Sequence, residues 1–242
     1  HLTRNREVII KIKDAKPDFH IIKKILGVGI PSAIMGSIGS VMSYGMNKIL
    51  FGFESTAVSV FGAYFKLQSF AFMPLFGMTN AMIPIVAYNY GADKPDRIKK
   101  VIKLSALYGS CFMVICSALF LIIPSQLLSI FNATDKMLEI GIPALQIISV
   151  HFIFAGISII CSSTFQALGH GVYSMSMSIL RQIVVLLPAA YLLSLTGNIN
   201  LVWISFPVAE IFSLSLGLIL FSHLMKKLFK KTPDNNHSTI PV

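Results

Sequence analysis

The sequence predicts an all-α polytopic membrane protein with six transmembrane helices. Three observations carry that reading. Hydrophobic residues make up 55% of the 242 and charged residues only 12%, with a mean hydropathy of +0.75; a soluble domain carries about twice that share of charge. The apolar residues fall into long runs separated by short polar turns. The cations sit at the ends of those runs rather than along one face. A formal net charge of +10 therefore marks membrane borders and gives no continuous basic surface for nucleic acid. The expected surroundings are membrane lipids.

Taken in order, residues 1–24 are polar and basic, from Arg4 and Arg6 to Lys23 and Lys24. They read as a cytoplasmic linker ending in an amphipathic surface helix that starts at Pro17-Asp18 and presents Phe19, Ile22, Ile25 and Leu26 to the membrane. Because the chain begins at His1, a fragment of a longer protein is expected. Residues 25–224 are expected to form one six-helix lobe, and 225–242 a basic, disordered cytoplasmic tail.

The first span, 25–51, carries Pro31 and a small-residue face of Ser32, Gly36, Gly39, Ser40, Ser43 and Asn47. Such a face either packs closely on a neighbouring helix or lines a cavity. The second span, 57–90, is interrupted by Gly62, Pro74, Gly77 and Pro84 and dotted with Gln68, Thr79 and Asn80. Bent, polar-spotted helices persist in lipid where they face protein or water, as in transporters. The turn Asn89-Tyr90-Gly91-Ala92-Asp93 and the cations Lys94, Arg97, Lys99, Lys100 and Lys103 place this connection in the cytoplasm by the positive-inside rule. The third span is 101–123. A longer connection follows, containing Asn132-Ala133-Thr134, a weak match to a glycosylation acceptor. Spans at 140–167, 173–195 and 201–224 complete the six, and both ends of the chain fall on the cytoplasmic side of a plasma or inner membrane.

Polar groups within the spans supply the candidate sites. Glu210 lies near the bilayer midplane, where a carboxyl costs about 2.5–3.5 kcal/mol on insertion scales. It is either a coupling carboxylate for a proton or cation, or a hydrogen-bonded strut to a neighbouring helix. Lys66 either snorkels to the outer surface or points into a cavity. Arg181 reads as an anchor about a turn inside the cytoplasmic edge, at a depth different from that of Glu210, so no salt bridge is expected. His151 is either a helix-interface residue or a proton relay. Met35, Met42, Met46, Met73, Met78 and Met82 suit a core, and equally a surface that accepts many shapes. Asn47, Lys66, Gln68, Met73, Asn80 and Met82 are the substrate-cavity candidates. Cys111, Cys116 and Cys161 lie within spans and have neither disulfide nor metal spacing. The sequence offers no catalytic constellation, so an enzyme is not expected.

Several motifs then stand in a telling order. Gly29-Ile30-Pro31-Ser32 opens a span after a basic linker, and Phe72-Met73-Pro74 precedes Gly77 in the next. Asn89-Tyr90-Gly91-Ala92 is followed by Arg97, Gln166-Ala167-Leu168-Gly169 closes a helix, and Trp203 precedes the stretch from Pro207 to Glu210. Over about residues 11–231 this resembles the second six-helix half of the multidrug and toxic compound extrusion (MATE) family. The resemblance implies one lobe of a two-lobe transporter with a central cavity, exporting lipophilic, often cationic small molecules in exchange for Na⁺ or H⁺. The missing N-terminal six-helix lobe would be the partner. Some relatives carry a coupling Glu at the position of Gly39 and an Asp near that of Ala155. Neither acid is present, so ion coupling is expected to use an acid in the missing lobe, the favoured reading, or else Glu210; no other cofactor is expected. A lipid-linked oligosaccharide flippase of the same superfamily, which would want a more cationic cavity, and a non-transporting membrane scaffold are the alternatives.

Overall fold

The computed structural model describes residues 17–230, and all regular structure among them is helical. The linker residues 1–16 and the tail 231–242 lie outside the described residues. Helix α1 (Phe19–Phe51) starts on Asp18, whose carboxylate accepts from the His20 N–H at 2.8 Å, an N-cap that satisfies an orphan donor of the first turn. It runs unbroken through the expected surface segment, so 19–24 and the first span are one helix. At the other end of the lobe, the first residues of the expected tail continue the last helix as far as Lys230.

Helix α2 (Ser55–Gly91) is continuous through both Pro74 and Pro84. Its 37 residues would reach about 55 Å at 1.5 Å per residue, well beyond a hydrocarbon core of about 30 Å. The chain leaves it with Asp93 at φ 52°, a left-handed position that Asp tolerates, and the Lys94 N–H returns to the Asn89 carbonyl at 2.9 Å. Pro95 then opens α3 (Pro95–Ile122) at a position where a missing N–H costs nothing.

The connection after α3 holds a short α4 (Pro124–Ser129) and leads into α5 (Asp135–Ser149). Thr134, the last residue of the glycosylation-like triplet, is the N-cap of α5 and accepts from the Met137 N–H at 3.3 Å. Beside it, Lys136 forms an ion pair with Glu54 from the α1–α2 turn. The fourth span is broken: α5 and α6 (His151–Ala167) meet at Val150 with a bend of 46°. A break in lipid frees carbonyls that must find donors. Here the Ser117 hydroxyl of α3 donates to the Ser149 carbonyl at 3.0 Å.

The fifth span starts as α7 (Gly171–Ile179), widens into a π-helical segment at Leu180–Leu186 and ends as α8 (Leu187–Ser194). Pro188 has no N–H for the Val184 carbonyl, and its ring crowds that turn; the wide winding just before it accommodates the mismatch. The sixth span is α9 (Ile199–Trp203) followed by α10 (Ser205–Lys230). At that junction the Ser205 hydroxyl donates to the Val202 carbonyl at 2.7 Å. Five helices are individually long and apolar enough to cross a membrane, and the bent α5–α6 pair passes the same test when taken as one span, which gives six.

Helix α6 is the centre of the lobe, packed against α2, α3, α7 and α10. Small residues permit the closest approaches, as is usual where lipid supplies no hydrophobic drive between helices. A Cβ on Gly109 of α3 would lie 2.9 Å from Met78 Cε and 3.0 Å from Ile160 Cδ1. One on Gly217 of α10 would lie 2.5 Å from Met177 Cε. An aromatic cluster fills the space between α2 and the start of the last span: Phe61 stacks on Trp203 at 6.5 Å, and Tyr64 meets Phe206 edge-on at 5.8 Å.

Candidate functional site

A cavity of about 550 Å³ opens between α1, α2, α6, the π segment and α10, within the range of drug-sized sites. Helix α2 gives it a stripe at steps of three and four residues: Phe65, Gln68, Phe72, Phe76, Thr79 with Asn80, and Ile83. Helix α6 adds His151 and then Ser158, Ser162, Ser163 and Gln166. The fifth span contributes Met177, Ser178, Arg181, Gln182 and Leu186. Ser178, Gln182 and Leu186 recur every four residues, a spacing that the wider π winding keeps on one side. Helix α10 presents Phe206, Glu210 and Ser213, again one turn apart. From α1 come Met35, Gly36 and Met42. The wall thus sets four phenylalanines and three methionines among hydroxyls, amides and a single ion pair.

That ion pair corrects the depth expected from the sequence. Arg181 Nη1 donates to Glu210 Oε2 at 3.2 Å. The fifth span begins at Gly171, so Arg181 stands about 15 Å along it, half the thickness of a bilayer core and level with Glu210. Glu210 is buried, and its other oxygen, Oε1, has no hydrogen-bond partner among the described residues. His151 is also buried; its Nδ1 pairs with the Ile148 carbonyl at 2.5 Å, and its ring lies edge-on to Phe152 at 4.9 Å. It sits in a helix interface and also reaches the cavity.

Of the cavity candidates, Gln68 and Asn80 line this wall and the other four do not. Lys66, one residue beyond Phe65, points away and places Nζ 5.8 Å from the centroid of the Phe131 ring between α4 and α5. Met82 is 2% exposed and belongs to the buried Leu75–Met82–Val86 side of α2, while Met73 is 64% exposed. Asn47 is half-buried on α1, outside the wall. Helical phase explains Lys66 and Met82, each about 100° from the middle of the α2 stripe; Met73 stands at its edge, and Asn47 lies more than a turn beyond Met42 along α1. The sequence did contain the missed signals, in the Phe65, Phe72, Phe76 spacing and the Ser158, Ser162, Ser163, Gln166 run.

Gly39, the position at which the resemblance would put an acid, faces Gln182; a Cβ there would lie 3.8 Å from its Oε1. Ala155 is fully buried in the core. Among the described residues no group of His, Cys, Asp and Glu is arranged to hold a metal ion.

A family profile for MatE matches residues 31–192, well over half of the chain. The chain belongs to the MatE family. MatE proteins are multidrug efflux transporters, not enzymes, and this chain is accordingly a multi-pass membrane protein. The chain is 24% identical over 223 residues to the multidrug export protein MepA of Staphylococcus aureus (strain NCTC 8325 / PS 47), a match covering 91% of this chain and 49% of MepA. It is 24% identical over 226 residues to MepA of Staphylococcus haemolyticus (strain JCSC1435), covering 93% and 49%. The chain thus spans about half the length of the curated relatives it matches.

Among solved structures, the lobe superposes on the outward-facing conformation of a multidrug resistance MATE family transporter of the MOP superfamily with a TM-score of 0.86, at 21% identity over 95% of this chain and 52% of that one. The inward-facing conformation of a multidrug resistance MATE family transporter gives 0.81, at 20% identity over 96% and 54%. These likenesses establish the MatE fold of the lobe.

Proposed function

We propose that the chain is one six-helix lobe of a secondary-active multidrug efflux antiporter of the plasma membrane. It exports lipophilic, often cationic compounds in exchange for H⁺ or Na⁺, and a second six-helix lobe completes the central cavity. The observation that carries this reading is the cavity wall: Phe65, Phe72, Phe76 and Phe206 with Met35, Met42 and Met177. Aromatic and thioether surface takes up varied apolar shapes without demanding one hydrogen-bond pattern.

Match lengths of about half of each relative support the second lobe. The lack of an acid at Gly39 and Ala155 supports a coupling-ion site in that lobe rather than in this one, with Glu210 engaged by Arg181. Both ends of the lobe and the turn between α2 and α3 face the cytoplasm, supported by the cations that crowd there. A flippase for lipid-linked oligosaccharides would need several cations for a diphosphate; Lys66 lies outside the cavity, and Arg181 is the one lysine or arginine among the described residues of the wall. The complete transporter, expressed in a drug-sensitive host, should lower ethidium accumulation. Unchanged accumulation at verified membrane expression would overturn the export reading.

A further inference from the structure

Arg181 and Glu210 meet at a depth where either charge alone is expensive, yet they show the cavity very different faces. The side chain of Glu210 is 2% exposed and that of Arg181 is 29% exposed. A molecule entering the cavity therefore meets the guanidinium, with the carboxylate behind it. To reach Glu210, a cationic ligand would have to displace the arginine and leave a second charge stranded in the wall.

A guanidinium has five N–H donors in one plane. Glu210 Oε2 engages one nitrogen, and no other protein partner of Arg181 is found among the described residues. The carboxylate thus fixes the orientation of the fork and leaves other donors for a ligand. A fork held in place before binding loses little freedom on contact, and its geometry matches a carboxylate through two parallel hydrogen bonds. The same wall holds Ser178 and Gln182 beside it in the chain, and Phe72, Phe76 and Phe206 as flat apolar surface. The combination suits an amphipathic ligand with aromatic rings and one carboxylate.

We propose that Arg181 determines specificity in this cavity for aromatic amphiphiles that carry a carboxylate, zwitterions included, with Glu210 as its positioning residue. This rests on the export reading above and narrows its substrate class: cationic dyes and drugs with a free acid are favoured over their esters.

The test uses the full-length transporter purified in detergent and a matched pair of fluorescent dyes: rhodamine 110, with a free carboxylate, and rhodamine 123, its methyl ester. Dissociation constants come from fluorescence anisotropy. The preference for acid over ester should fall by about tenfold in the double variant Arg181→Gln/Glu210→Gln, the size of one charge-assisted contact. Removing both charges avoids leaving one unpaired. Arg181→Lys, which keeps the charge but not the fork, should lower the preference in the same direction, and it stands in if the double variant fails to fold. A merely structural role would weaken both dyes together and leave the ratio where it was. An unchanged ratio with both dyes bound overturns the proposal alone; wild-type protein that binds neither dye overturns the export reading and this one with it.

Discussion

The Ser117 hydroxyl on α3 donates at 3.0 Å to the carbonyl of Ser149, the last residue of α5. Both residues are buried, and the contact falls where the fourth span breaks. It gives a freed carbonyl a partner in a place that water does not reach, so α5 and α6 can turn by 46° within the lobe.

Ser117→Ala should therefore cost about 1–3 kcal/mol, the penalty for a buried group left without its partner. Ser215→Ala is the comparison, since that hydroxyl only bonds back to Ile211 on its own helix and is exposed. Thermal melting in detergent would show a clear drop for the first and little change for the second. Equal melting temperatures would mean that the break is held by packing alone.

The Arg181–Glu210 pair should be asymmetric to mutation. Arg181→Gln leaves a carboxylate that is 2% exposed without its counter-charge, at a cost of about 3–5 kcal/mol. Adding Glu210→Gln removes the stranded charge, so the double variant should melt higher than Arg181→Gln alone. Additive losses in a double-mutant cycle would contradict a direct pairing.

Glycine positions separate crowded interfaces from open ones. Gly109→Ala pushes a methyl group to within 3.0 Å of Met78, Ile160 and Leu75, an overpacking that should cost about 1–3 kcal/mol. Gly62 has nothing within 4 Å of the added carbon, and Ala there should be neutral or stabilising by about 0.5–1 kcal/mol through helix propensity. Unfolding of the two variants in a graded denaturant, against wild type, checks the contrast.

Cysteine scanning tests the cavity wall directly. In a background with Cys111, Cys116 and Cys161 replaced, Asn80→Cys and Ser162→Cys should react with a hydrophilic thiol reagent, and Met82→Cys should not. Asn80 and Ser162 line the cavity, whereas Met82 is packed in the core. Labelling of Met82→Cys at a comparable rate would place the wrong side of α2 against the cavity.

Much of the fold was legible because its signals are local. The turn after α2 and the helix stop at Gln166-Ala167-Leu168-Gly169 announce themselves by residue type, and the helices there end at Gly91 and Ala167; the third span, expected from 101, begins as a helix six residues earlier, at Pro95. The break at Val150 did not announce itself, because neither glycine nor proline stands there; the hydroxyl that meets the Ser149 carbonyl beside it comes from Ser117, 32 residues before Ser149. The cavity was half legible. Spacing along α2 can nominate a stripe, but only the neighbours of each helix decide which stripe faces the open volume, so Gln68 and Asn80 line it and Met73 and Met82 do not. The ion pair was missed because the depth of Arg181 was underestimated: even from the expected start at 173 it stands eight residues in, about 12 Å and more than two turns.

The widened winding at Leu180–Leu186 bears on how such proteins can change length over time. A stretch that holds a surplus residue can shed it and tighten into ordinary turns, so a one-codon loss there is survivable for the span. The same loss inside α3 would swing everything beyond it by about 100° and carry Met113 away from Gly156, which it touches. Length differences among homologous lobes should accordingly gather in the fifth crossing and spare the third.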